Sequence, residues 1–235
     1  MVSDVVNLAR ITMLALADSV NPCAFAVLTM VLLSILINNP NKRHKVLLGG
    51  LAFCLAVFIE YLIYGIIIVP SFGAFTHLLR QNSAYFYDIL GIISMLLGVL
   101  NIKEFFSYKK GEFATEMPLS IRPKVKKIAE KVTSPLGAFL IGMVVTLFLL
   151  PCTMGPYIIA SGLLSQLGLL KALPWLAYYN LLFILPMLAI TLLVYFGLTK
   201  VEDVSEWKER NIKILHLIAG ILMFIVGIAV LIGWL

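Results

Sequence analysis

The chain has 235 residues, of which 61% are hydrophobic and only 13% charged, with a mean hydropathy of +1.02. Soluble domains usually carry about 25% charged residues, so an ordinary soluble fold is excluded. The three cysteines, Cys23, Cys54 and Cys152, all lie in apolar stretches, which excludes a disulfide-stapled secreted domain and a closely spaced zinc cluster.

In lipid the backbone is satisfied only by helices or a closed barrel. The apolar runs are long and continuous, not alternating, and predict helices. Met1 to Asn7 reads as a short tail. No cleavable signal peptide is expected, because no basic segment precedes the first apolar stretch, which also runs on too long. Six spans of roughly 20 or more residues follow. They cover about Leu8 to Ile37, Val46 to Val69, Ala84 to Phe106, Leu136 to Leu164, Ala172 to Leu198 and Ile212 to Trp234. A polar stretch from Ser107 to Ser134 separates the third from the fourth. It contains Pro118, Pro123 and the basic run KVKKIAEKV (Lys124 to Val132), which either lies on the anionic inner leaflet or forms a solvated linker. The expectation is an all-α integral membrane protein with one membrane domain over 1–235. Repeat one covers about 8–106, a cytoplasmic linker about 107–134, and repeat two about 135–234.

The net charge of +6 is explained by topology. Loops one, three and five hold 15 of the 18 Lys and Arg residues; only Arg10, Arg80 and Lys171 fall on the other side. The positive-inside rule then puts those loops in the cytoplasm and both termini outside the cell membrane. A nucleic-acid partner becomes unnecessary.

Asn21-Pro22-Cys23-Ala24-Phe25 in the first span and Leu150-Pro151-Cys152-Thr153-Met154-Gly155-Pro156-Tyr157 in the fourth each place a Pro-Cys pair deep in the first helix of a three-helix unit. Two tandem units with an odd number of spans have opposite orientations, the logic of inverted repeats. Both cysteines then fall near the midplane. Proline lacks an N–H and clashes with the carbonyl four residues earlier. Pro22, Pro151 and Pro156, with Gly155 between the last two, therefore predict breaks in the first and fourth helices. Unwound backbone at membrane depth must face protein or water, so the cysteines are expected to line a cavity. Asn21 suits an N-cap and Pro22 the first helical position. Cys23 would then occupy the first turn, where the helix dipole favours a thiolate, the attacking species in thiol–disulfide exchange, while apolar burial opposes it.

The other candidates are weaker. Cys54 reads as a small core residue. Glu60, well inside a span, either handles protons during exchange or snorkels near the outer interface. Asp18, five residues outward of Cys23, either influences the thiol, caps freed backbone groups or faces water at the rim. Asn180 and Pro186 suggest an irregular fifth helix serving packing. His44, His77 and His216 lie at loop or helix ends and form no ligand cluster. No haem, flavin or metal motif is apparent, so no cofactor is expected.

NPCAF and LPCTMGPY, one in each half, resemble the CcdA family of cytochrome c biogenesis proteins and are similar to the membrane domain of the thiol–disulfide interchange protein DsbD. The resemblance spans nearly the whole chain. It implies that cytoplasmic thioredoxin reduces a Cys23–Cys152 disulfide. The reduced pair would then reduce an extracytoplasmic thioredoxin-like protein, a separate polypeptide, in support of cytochrome c maturation. Pro22, Pro151 and Pro156 would shape the site, with access alternating between the two sides. The protein would be an oxidoreductase only in the sense of thiol–disulfide exchange. The alternative is a secondary transporter of an ion or small solute, for which Asn21, Thr153 and Glu60 are the only evident ligands. A purely structural scaffold leaves both Pro-Cys sites unexplained.

Overall fold

The computed structural model describes residues 7–19, 22–39, 42–78, 83–106, 127–129 and 132–232, with side chains described at these positions except 22, 23, 75–78, 83–87, 90, 148–155 and 208. Among them there is no strand. The helices, in chain order, are α1 (Leu8–Ser19), α2 (Pro22–Asn38), α3 (Arg43–Leu78), α4 (Ser83–Phe106), α5 (Pro135–Leu164), a 3₁₀ turn (Ser165–Leu167), α6 (Leu169–Tyr195) and α7 (Val201–Leu231). Among the described residues three helical stretches are long and apolar enough to cross a membrane: Arg43–Ala74, Leu169–Tyr195 and Glu209–Leu231. The pieces Leu8–Ser19 and Ala24–Asn38, bent by 53°, meet the same test as a pair, which makes up to four. The molecule is thus a multi-pass helical membrane protein.

Local chemistry sets several helix ends. Ser134 caps α5, accepting a hydrogen bond from the Gly137 N–H at 3.2 Å, and Pro135 begins the helix with the φ it already prefers. Gly168 and Gly197, both at φ 72°, supply the left-handed residues before α6 and after it. Asp203 Oδ2 accepts from the Lys200 N–H at 3.2 Å, fixing the start of α7.

The structure corrects three expectations. The fourth span is not broken: α5 runs as one helix from Pro135 to Leu164, through Pro151 and Pro156. Each proline forfeits one backbone bond, but unwinding in lipid would strand several more, so the helix persists. For the same reason α3 does not stop near Val69 but passes Pro70 to Leu78, and α6 carries Pro174 and Pro186 inside one helix. The third correction is at α7, which starts at Val201, before the apolar run, with Glu202, Asp203, Glu206, Glu209 and Arg210 all exposed.

In the packing, α3 lies against α5 and α6, α6 against α1, and α1 and α2 both against α7. Helix α4 packs along α7. The α4–α7 seam is made by glycines that let backbones touch. A Cβ at Gly220 would sit 2.8 Å from the Gly98 carbonyl oxygen, and one at Gly227 would sit 2.8 Å from that of Gly91. Between these crossings Ser94 Oγ donates to the Met223 carbonyl at 2.8 Å. The end of the basic stretch packs on protein. Ala129 and Val132 are buried, Ser34 Oγ donates to the Val132 carbonyl at 2.9 Å, and the Asn39 amide donates to that of Thr133 at 3.1 Å.

Candidate functional site

Helix α1 ends at Ser19 and α2 begins at Pro22, so proline occupies the first helical position and Cys23 the first turn, as the sequence predicts. Asn21, the expected cap, lies outside the described residues. Pro151, Cys152, Thr153 and Gly155 all belong to the continuous α5, and Pro156, further along it, is buried.

The flanks of the two Pro-Cys motifs share a neighbour in α6. Asp18, five residues before Cys23, is 2% exposed, and its Oδ2 accepts a hydrogen bond from the Tyr179 hydroxyl of α6 at 3.0 Å. Tyr157, five residues after Cys152, sets its ring edge-on to Tyr179, with centroids 5.3 Å apart. Tyr179 therefore touches both flanks. Asp18 is a core residue here and does not face water at a rim.

The cluster continues into α3. Tyr157 donates a hydrogen bond to the Tyr61 carbonyl, and the two rings stand edge to face at 5.3 Å. Gly65 makes room for this hydroxyl, since a Cβ there would lie 2.6 Å from it. Tyr61 also packs against Phe183 of α6 at 4.8 Å and against Tyr64 at 5.9 Å. Aromatic pairs in this range are each worth about 0.5–1.5 kcal/mol beyond area burial. Glu60 lies halfway along the 36-residue α3 and is buried, with its Oε1 accepting from the Tyr64 hydroxyl at 2.9 Å. Its side chain packs inside the protein. Thr12 of α1 shares a 2.9 Å hydrogen bond with Tyr178 of α6, which fixes the same pair of helices one step further along.

Buried polar atoms almost always find a partner. Among the described residues, Asp18 Oδ1 and Glu60 Oε2 are buried without a hydrogen-bond partner. Carboxyls and phenols in one water-excluding aromatic layer can hold protons and pass them on. Cys54, by contrast, is a free thiol at 1% exposure in the packed core, as expected of a core residue.

The family model for the cytochrome c biogenesis protein transmembrane region matches residues 10–229. The chain belongs to this CcdA/DsbD-like family. No curated protein and no solved structure matches it. The likeness drawn from NPCAF and LPCTMGPY is thereby borne out, and with it a membrane protein of the cytochrome c biogenesis type.

Sequence reasoning on this CcdA/DsbD-like chain missed the tyrosines. The signal was present: Tyr178-Tyr179-Asn180 puts three polar groups together inside an apolar span, where polar side chains seldom sit idle. It also placed His216 at a loop or helix end, outside any ligand cluster. His216 is buried in the α4–α7 seam, its Nδ1 2.8 Å from Glu104 Oε2 and 3.2 Å from Asn101 Oδ1. The i, i+3 spacing of Asn101 and Glu104 on α4 was the available clue.

Proposed function

We propose that this protein is a transmembrane thiol–disulfide oxidoreductase in which Cys23 and Cys152 form the redox pair. Cytoplasmic thioredoxin reduces their disulfide, and the two thiols then reduce an extracytoplasmic thioredoxin-like protein that serves cytochrome c maturation. The observation that carries this reading is the convergence of Asp18 and Tyr157, one from each Pro-Cys flank, on Tyr179. Two segments whose cysteines lie 129 residues apart in sequence thus share a neighbour, which supports a disulfide between them.

The chain acts as one membrane unit of six spans in two inverted three-helix repeats. The packing supports this. The second helix of each half lies on the first of the other, α3 on α5 and α6 on α1, and the third helices α4 and α7 lie on each other. Loops one, three and five face the cytoplasm and both termini the outside. Asn21, Pro22, Pro151, Thr153, Gly155 and Pro156 shape the ground around the sulfurs, and Glu60 supports it from α3. Electrons travel as thiols: each donor dithiol becomes a disulfide as the Cys23–Cys152 disulfide becomes two thiols. Access alternates between the two sides by bending at the α1–α2 break.

The test is electron transfer in sealed vesicles loaded with thioredoxin, thioredoxin reductase and NADPH, with an oxidised thioredoxin-like acceptor outside. Cys23→Ser and Cys152→Ser should each abolish transfer. Full transfer in either variant refutes the reading.

A further inference from the structure

We propose that Asp18 is the proton-carrying group of the exchange, giving a proton to the sulfur that leaves when the Cys23–Cys152 disulfide opens. The proposal rests on the redox reading above and adds a residue to it. Asp18 sits at the end of α1, directly before the break that leads into Cys23. Its carboxyl is 2% exposed. One oxygen accepts from Tyr179, and the other is buried with no hydrogen-bond partner among the described residues. A carboxyl with one oxygen anchored and the other unoccupied is arranged to give or take a proton at the unoccupied atom. Tyr179, bound to Asp18 and edge-on to Tyr157, links this carboxyl to the flanks of both cysteines.

The groups around Asp18 fit the role. From α6 it meets Tyr179, with Tyr178 held by Thr12 of α1. The titratable groups of α5 are Tyr157, set edge-on to Tyr179, and Cys152 of the proposed redox pair. Helix α7 carries none after His216, and on α1 itself Arg10 lies eight residues earlier, about 12 Å along the axis. Glu60, bound to Tyr64, occupies the α3 end of the cluster.

The step balances. A thioredoxin thiolate attacks one sulfur of the Cys23–Cys152 disulfide and forms a mixed disulfide. The other sulfur leaves as a thiolate and takes the proton from Asp18. The second thioredoxin thiol then attacks its partner sulfur in the mixed disulfide, forming the thioredoxin disulfide and releasing the second membrane cysteine as a thiolate. The two protons shed by the thioredoxin thiols re-protonate Asp18 and neutralise that second thiolate. Two electrons and two protons have moved from donor to protein, with no other reactant.

The full-length protein in proteoliposomes tests this, with the rate at which thioredoxin reduces the Cys23–Cys152 disulfide followed by acid quench and thiol alkylation between pH 6 and 8.5. Asp18→Asn should slow reduction by about 100-fold at pH 8, the low end of what general acids contribute. The deficit should shrink as pH falls and solvent supplies the proton. Asp18→Glu should recover most of the rate. Tyr179→Phe, which keeps the ring and removes only the hydroxyl, should slow the reaction less but shift its pH profile. Wild-type rates in Asp18→Asn, or equal slowing by Asn and Glu at every pH, would overturn the proposal. So would a Tyr179→Phe profile superimposable on wild type, which also decides the matter if the Asp18 variants do not assemble. These outcomes leave the redox reading standing, because that reading falls only if Cys23→Ser or Cys152→Ser retains transfer.

Discussion

The two Pro-Cys segments carry the same dipeptide and fold differently. Around Cys23 the chain ends one helix at Ser19, starts another at Pro22 and turns by 53°. Around Cys152 the chain stays helical for 30 residues. Both segments offer a proline that cannot donate, so proline alone does not decide the outcome. The residue before it does. Asn21 carries a side chain that can accept from the N–H groups of a new helix, and Leu150 carries none. A break at Leu150 would leave the first amides of a new helix unserved in an apolar setting, at about 1–3 kcal/mol for each unsatisfied group. The continuous helix is the lower-energy solution there. One half of the molecule therefore holds a bend and the other a continuous helix, and under the redox reading the bend is the hinge.

This asymmetry can be broken or sharpened by substitution. The largest effect is expected from the sulfurs, since Cys23→Ser and Cys152→Ser should each reduce transmembrane transfer to background in the vesicle assay. Next come the prolines. Pro22→Ala permits one straight helix and should slow transfer by about tenfold, the equivalent of 1.4 kcal/mol. Pro151→Ala, within a helix already continuous, should change the rate by less than threefold or so on the same scale. Equal losses in both variants would mean that the hinge is not confined to the first half.

Smaller effects test the scaffold around the two segments. Gly220→Val would push a side chain into the Gly98 backbone and should destabilise the protein by about 1–3 kcal/mol, visible as a lowered midpoint of thermal unfolding in detergent. Tyr157→Phe removes the bond to the Tyr61 carbonyl and should cost about 1 kcal/mol by the same measurement. Cys54→Ala should leave the transfer rate unchanged, because that thiol is a buried packing residue of the apolar core.

The helices were largely legible in the sequence because continuous apolar runs of this length have few other outcomes. The placement of Cys23 at the start of α2 was legible too, from Asn-Pro alone. What escaped depended on which face a polar residue takes. In spans that are apolar all round, nothing in the pattern says whether Asp18 turns inward or outward. The answer came from Tyr179, some 160 residues away in sequence, which offers it a hydroxyl. The same holds for His216, whose partners Asn101 and Glu104 come from the other half of the chain. The persistence of α5 through two prolines is not legible from the prolines alone, because it depends on what a break would leave unsatisfied.

The central claim is that the sulfurs of Cys23 and Cys152 meet. The most direct measurement is mild oxidation of the purified protein, followed by alkylation, proteolysis and mass mapping without reductant. The account predicts a peptide pair joined through Cys23 and Cys152, with Cys54 recovered alkylated. Recovery of Cys23 and Cys152 unlinked, or of Cys54 in the bridge, would contradict it.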